Sequence, residues 1–306
     1  MKYLVIGCGG VGASIASFLL YNGFDVDIIA RNKQYNKLKE EGLKVKSDIY
    51  GDMVFNNLNV YKQEDYHTIV DVVFVCVKYS GLDGVLNTIE EVSNKDTSII
   101  PILNVYGTGT YIRDRIGKDK DVLDGCIYIL SNLEKNGDLV QHNNLFRIVY
   151  GNPKQIIKKR YKVIEEELRK CKIEAICSSN IKEDTYKKFS FISPYAAVGL
   201  YYNANAKEIR EDKDKLEMFI NLNKEIVELG KAMNINIKED VIKDNVDMLM
   251  KLDDHITASL QKDIEANKIS EINGIINYVI EQAQKYGLVL ANYKLVYELA
   301  KEKGWR

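Results

Sequence analysis

Apolar residues fall in short unbroken runs in the first half of the chain and at helical spacing in the second. Tyr3-Leu4-Val5-Ile6 and residues 24–29, 71–78 and 97–104 are runs of the first kind. They suit parallel strands buried on both faces. Stretches at roughly 33–42, 82–93 and 108–116 have helical spacing and lie between them. Strands alternating with helices imply a parallel sheet with right-handed crossovers. Residues 122–150 read as short strands, with turns at Lys135-Asn136-Gly137-Asp138 and Asn143-Asn144. Residues 154–170 read as a helix and 173–177 as a last strand, and from 181 to 306 nearly everything is helical. The expected fold is an α/β N-terminal domain with a mostly parallel, doubly wound sheet, then an all-α C-terminal domain. Ser178-Ser179-Asn180 is a natural helix N-cap cluster and divides the chain into 1–179 and 180–306.

The first strand runs into Gly7-Cys8-Gly9-Gly10-Val11-Gly12, which fits GxGxxG. Gly7 permits the tight turn, Gly9 lets backbone approach a pyrophosphate, and Gly12 lets the next helix pack closely on the sheet. Val11, Ile15, Phe18 and Leu19 recur at helical spacing behind it. Free N–H groups at that helix start favour phosphate. The pattern between strand and helix marks a Rossmann-type dinucleotide site. An export signal is the competing reading of the same residues, but only residues 3–7 separate Lys2 from Cys8, and Gly9, Gly10 and Gly12 follow. A signal needs an apolar region of roughly 7–15 residues.

An NAD enzyme usually carries an acid near the end of the second strand, for the ribose 2′-hydroxyl. Here Asp25 and Asp27 come too early, and the strand ends Ile28-Ile29-Ala30-Arg31-Asn32-Lys33. A basic residue in that slot suits a 2′-phosphate, so the expected cofactor is NADP(H), with Arg31 stacking or pairing and Lys33 assisting. Gly7, Arg31, Lys78 and Asn104 all fall at expected strand ends, where ligands of such sheets bind.

Composition narrows the remaining classes. The 306 residues suit two ordinary domains, and a net charge of -1 gives no pull toward nucleic acid or an anionic membrane. Five scattered Cys without a CxxC and three His offer no metal-ligand spacing and suit a reducing cytoplasm. No apolar run approaches the roughly 20 residues of a membrane span. The helical Tyr195, Tyr201 and Tyr202 serve either a core or a homodimer interface.

The dinucleotide-type domain, the helical second domain, Lys78 and Asn104-Val105-Tyr106-Gly107-Thr108 together resemble the ketopantoate reductase family, NADPH-dependent 2-dehydropantoate 2-reductases and their relatives. The resemblance covers almost the whole chain. It continues in Tyr186-Lys187-Lys188-Phe189, in Ser259-Leu260-Gln261-Lys262-Asp263-Ile264, in Ser270-Glu271-Ile272-Asn273-Gly274 and in Lys285-Tyr286-Gly287-Leu288-Val289-Leu290, where Ala291 replaces a common Pro. It implies that Lys188 is the catalytic lysine, Glu271 the active-site acid and Ser259 a contact for the substrate carboxylate. It implies that Asn104 is the amide near nicotinamide and substrate, and Lys78 part of the cofactor cleft. Helical spacing independently places Lys188, rather than Lys187, on the more apolar face. Ser259 and Glu271 would stand about 18 Å apart on one continuous helix. The helix must therefore break, and residues 267–270 offer the break, with Ser270 as N-cap and Glu271 in the first turn.

The implied reaction is NADPH-dependent reduction of a 2-oxo acid to a 2-hydroxy acid, as in ketopantoate reduction for pantothenate biosynthesis. Negative charge develops on the oxo oxygen, which Lys188 would stabilise and protonate. The family's substrate-binding asparagines read here Ile192, Ala196 and Ala206, with Asn203 and Asn205 near the last. A more apolar 2-oxo acid fits Ile192 better. Two other readings compete: a hydroxyacid or polyol-phosphate dehydrogenase, which would not need Lys188 with Glu271, and a non-catalytic NADP(H) sensor.

Overall fold

The computed structural model describes residues 1–305, so Arg306, the last residue of the expected second domain, lies outside the described residues. The chain divides into two compact units: Met1–Leu103 with Gly107–Ile181, and Asn104–Tyr106 with the chain from Lys182 onward.

The strands of the first unit are β1 (Lys2–Ile6), β2 (Asp25–Ile29), β3 (Leu43–Ser47), β4 (Gly51–Phe55), β5 (Asn59–Tyr61), β6 (Val72–Val75), β7 (Ser98–Pro101), β8 (Asp121–Val122), β9 (Asp124–Leu133), β10 (Leu139–Gly151) and β11 (Glu174–Cys177). Its helices are α1 (Gly10–Tyr21), α2 (Asn32–Glu40), α3 (Leu86–Glu91), α4 (Thr108–Arg113) and α5 (Lys159–Lys170). Six strands form a wholly parallel sheet in the order β5-β2-β1-β6-β7-β8. The chain places β2 and β5 on one side of β1 and then crosses back to place β6, β7 and β8 on the other, which makes the carboxyl ends of β1 and β6 a topological switch point. A second sheet runs β11-β10-β3-β4, with β9 antiparallel on β10.

Helix α1 explains its own composition. It packs on β1 and β2 of one sheet and on β9 and β10 of the other. Every residue from 12 to 19 is therefore buried, and apolar or small side chains occupy all sides. Ser14 and Ser17 are tolerated because their hydroxyls donate to the carbonyls of Gly10 (2.7 Å) and Ser14 (3.1 Å). Asp27, buried inside β2, is held through one oxygen: Lys2 Nζ lies 2.8 Å from Oδ2 and Tyr66 OH donates to the same oxygen at 2.6 Å.

The structure also departs from the sequence reading. It adds β3, β4 and β5. Residues 122–150 form one long antiparallel hairpin, β9–β10, after the two-residue β8, not a set of short strands. The helix expected over 154–170 starts only at Lys159. Before it, Asn152 Oδ1 accepts from Lys154 N–H at 2.9 Å and Gln155 takes a left-handed φ of 61°, which hold a turn.

The second unit contains α6 (Ile181–Tyr202, its first residue counted with the first unit), α7 (Ala206–Glu211), α8 (Lys213–Ala232), α9 (Asp240–Lys251) and α10 (Ser259–Glu265). A π-helical turn (Asn273–Asn277), α11 (Tyr278–Lys285) and α12 (Ala291–Glu302) follow. Pro194 sits inside α6 and cannot donate to the carbonyl of Ser190. The buried Asn245 of α9 supplies the missing donor at 3.0 Å and also donates to Asn223 Oδ1 of α8 at 2.7 Å. This offsets part of the roughly 3 kcal/mol that an interior proline costs.

Candidate active site

The glycine turn sits where β1 ends. Gly7 has φ 96°, a conformation that favours glycine, and its N–H donates to the Ile29 carbonyl at 2.9 Å. A Cβ on Gly12 would collide with the Gly7 carbonyl, so α1 lies against the turn itself. A Cβ on Gly10 would come 2.9 Å from the Ser131 carbonyl of β9, a steric demand from the second sheet that GxGxxG does not express. Gly9 differs: a Cβ there would meet nothing within 4 Å. No acidic residue occupies the first turn of α1, so its positive end is not neutralised by its own sequence. Cys8 is buried, which pushes its thiol up to about 12, so it puts no negative charge beside this turn. Val11 is half-buried just inside α1. A dinucleotide phosphate fits this arrangement: open space at Gly9, free helix-start amides and no competing anion.

Arg31 follows β2 in extended conformation (φ -126°, ψ 155°) and begins α2. Its guanidinium reaches the turn after β6, with Nη2 3.4 Å from where a Gly81 Cβ would stand. Lys78, exposed, opens that turn, and its carbonyl accepts from Gly81 N–H at 2.8 Å. Beside Arg31 lies an open cavity of about 650 Å³, lined among others by Tyr35, Lys62, Gln63, Glu64 and Glu91. Lys33 does not line it; Lys62 does. The parallel pairing of β5 with β2 matches Tyr61 to Ile29 and so delivers Lys62 to the Arg31 end. Lys62 Nζ lies 5.5 Å from the centre of the Tyr35 ring. Of the acids, Glu91 is 3.3 Å from His67 Nδ1.

Asn104 does not join these groups in the first unit. It belongs to the second, where Lys188 Nζ donates to its Oδ1 at 2.8 Å. Lys188 is 8% exposed, whereas Lys187, one residue earlier, is exposed and paired with Asp244 at 2.8 Å. Tyr186 and Phe189 flank Lys188 in sequence and pack against Tyr106. Burial holds the Tyr186 phenol well above its ordinary range, so it stays neutral and donates to the Ile226 carbonyl at 2.8 Å.

The chain does break between Ser259 and Glu271. Ser259, exposed, is the first residue of α10, which ends at Glu265. The next helical residue is Ile272, one later than expected, and its N–H donates to Ser270 Oγ at 3.3 Å. Glu271, 9% exposed, precedes it, and its carbonyl accepts from Gly274 and Ile275. Ile192 is half-buried, and Ala196 and Ala206 are buried. The nearby asparagines are engaged elsewhere. Asn205 caps α7 in a reciprocal box with Glu208, and Asn203 Oδ1 accepts from Gln261 Nε2 at 3.0 Å.

Among the described residues no group of His, Cys, Asp and Glu is placed to hold a metal ion. No helix of the described residues is long and apolar enough to cross a membrane.

Two family models match the chain: "Ketopantoate reductase PanE/ApbA" over residues 3–155 and "Ketopantoate reductase PanE/ApbA C terminal" over residues 180–304. The chain is 26% identical over 297 residues to the uncharacterized oxidoreductase YkpB of Bacillus subtilis (strain 168), covering 97% of each chain. It is 22% identical over 311 residues to a 2-dehydropantoate 2-reductase of Aquifex aeolicus (strain VF5), covering 99% of this chain and 97% of that protein. Its fold is shared with D-mandelate dehydrogenase in a ternary structure with NADH and anilino(oxo)acetate, at a TM-score of 0.90 and 20% identity, covering 99% of this chain and 98% of that one. Two family models that span most of the chain, on the α/β and helical units described, make it an oxidoreductase belonging to the ketopantoate reductase family.

Proposed function

We propose that this protein reduces a 2-oxo acid to the 2-hydroxy acid with NADPH, and that its preferred substrate is more apolar than ketopantoate. The observation that carries the reading is Lys188: an ammonium on a buried helix face, held by the amide oxygen of Asn104. A buried lysine is costly unless it is paired or functional.

When bound, NADPH supplies the hydride. The Lys188 ammonium stabilises the negative charge that develops on the substrate's oxo oxygen and donates the proton to it; the resulting amine regains a proton from solvent. Asn104 orients Lys188. Glu271 hydrogen-bonds the substrate or orients the lysine, and Ser259 anchors the carboxylate. Gly7, Cys8, Gly9, Gly10, Val11 and Gly12 hold the pyrophosphate, Lys78 lies along the cofactor, and Arg31 with Lys62 holds the 2′-phosphate. Apolar preference rests on Ile192, Ala196 and Ala206, with Asn205 occupied as a cap. A substrate hydroxyl finds no amide at those positions, and a site without its hydrogen-bonding partner discriminates poorly in favour of that hydroxyl.

The test is NADPH oxidation against a panel of 2-oxo acids that includes ketopantoate, 3-methyl-2-oxobutanoate and phenylglyoxylate, with NADH in parallel. Turnover should be highest with an apolar member and with NADPH. Tight NADPH binding without turnover of any member would favour a sensor instead.

A further inference from the structure

The segment that begins with Glu271 does not continue as an ordinary α-helix: Asn273–Asn277 is a π-helical turn. Such turns are rare and concentrate at functional sites. The widened turn is held by a buried chain of hydrogen bonds. Ser193 Oγ donates to the Ile275 carbonyl at 2.8 Å and lies 2.7 Å from Tyr293 OH. A serine hydroxyl has one proton, already given to Ile275, so the tyrosine donates to the serine. On its other side the Ile275 peptide N–H donates to the Glu271 carbonyl at 2.9 Å. Ser193, Ile275 and Tyr293 are all fully buried. Ser193 stands on α6, five residues beyond Lys188. One residue's backbone, that of Ile275, therefore links the helix that carries Lys188 to the backbone of Glu271.

We infer that Ser193, supported by Tyr293, is a positioning residue that sets Glu271 relative to Lys188 through the π turn. The inference rests on the catalytic reading of Glu271 above. Without the serine proton the Ile275 carbonyl loses its cross-helix donor in a fully buried site. The turn is then free to tighten toward α geometry, and that rotates Glu271 out of register. Displacements of about 1 Å near reacting groups cost on the order of 100-fold in rate.

The experiment measures kcat with NADPH and 3-methyl-2-oxobutanoate, together with NADPH affinity, for S193A, Y293F, E271Q and the double variant S193A/E271Q. S193A should lower kcat about 10- to 100-fold with NADPH affinity within about twofold of the unmodified protein. Y293F, which keeps its volume and leaves Ser193 in place, should lower it by a smaller factor of about 3 to 10. Because Ser193 acts through Glu271, the double variant should be no slower than E271Q alone; independent structural damage would multiply. Should S193A fail to fold, Y293F and its double with E271Q give the same comparison. Unchanged kcat in both hydroxyl variants, or multiplying losses, with E271Q impaired, would overturn the inference while leaving the role of Glu271 standing. Unchanged kcat in E271Q itself would overturn that role, and the inference with it.

Discussion

Lys188 Nζ donates to Asn104 Oδ1 at 2.8 Å across 84 positions of sequence. The bond gathers Asn104–Tyr106 into the helical unit, although these residues follow β7 of the other unit in the chain. If this ammonium is the proton donor, Lys188→Ala should lower turnover at least about 1,000-fold, within the range for a positioned general acid that also stabilises charge. NADPH affinity should stay within about twofold. Fluorescence titration and steady-state assay of one preparation read both quantities, and unchanged turnover would remove Lys188 from the mechanism.

Two glycines of one motif should fail in opposite ways. Gly12→Ala puts a methyl on the Gly7 carbonyl, between backbone groups that cannot give way. It should lower thermal stability, with a loss of several kcal/mol expected from overpacking against backbone. Gly9 has φ -80° and open space around its Cα. Gly9→Ala should melt normally and bind NADPH about tenfold or more weakly, because the methyl occupies the approach of the pyrophosphate. Melting curves with and without NADPH separate the two cases.

What could be read from the residues in advance follows the range of the interactions involved. The glycine turn, the strand before it and the helix after it are set by neighbours close in sequence, and their pattern is legible. The inward face of Lys188 is legible too, because helical spacing is local. The partnership of Lys62 with Arg31 is not: it depends on β5, three residues long, pairing with β2 in one register. Gly10 is similar, since its constraint comes from Ser131 on a strand of another sheet. Asn205 reads as a spare amide until its reciprocal bond with Glu208 shows it to be a helix cap. Ser193 in an apolar helix carries no signal at all without its two buried partners.

Lys62 and Arg31 give the cofactor preference a direct test. Removing either cation should weaken NADPH binding about 10- to 100-fold, the range for a charge-assisted bond to phosphate. NADH affinity should change little. Lys62→Met keeps the aliphatic stem beside Tyr35, so a loss confined to NADPH reports on charge. Equal losses for both cofactors would move Lys62 from phosphate recognition to the shape of the pocket. One of the two acids on the same cavity, Glu64, supplies the contrast: Glu64→Gln should leave NADPH binding intact or improve it.

Alkaline pH should destabilise the fold well before lysines titrate. Burial pushes the thiols of Cys8 and Cys171 up to about 12, from an ordinary 9.0. Above pH 9 the unfolded chain loses protons that the folded chain keeps. Stability contributed by the protonated thiols is complete below pH 9 and declines as pH rises toward 12. One pH unit above that ordinary value costs about 1.4 kcal/mol per such thiol. Urea midpoints measured under reducing conditions at about pH 8, 9 and 10 should fall in that order, and Cys8→Ala should reduce the slope.

If the proposed site is right, Ile192 is where a single change should be felt most in substrate choice. It lies one helical turn beyond Lys188 on α6 and is half-buried. On the proposed reading, a branched apolar side chain there would favour a substrate carbon chain and offer nothing to a hydroxyl. Ile192→Asn introduces an amide at the position where the family's first substrate asparagine is expected. It should raise kcat/KM for ketopantoate and lower it for 3-methyl-2-oxobutanoate. The combined change in the ratio should be about 10- to 100-fold, the worth of one new hydrogen bond together with the removal of one apolar side chain from the substrate's path. The ratio is the informative quantity, because any general damage to the helix lowers both substrates together and cancels. A ratio that does not move would place substrate selection on other residues of the site and remove the basis for preferring an apolar 2-oxo acid.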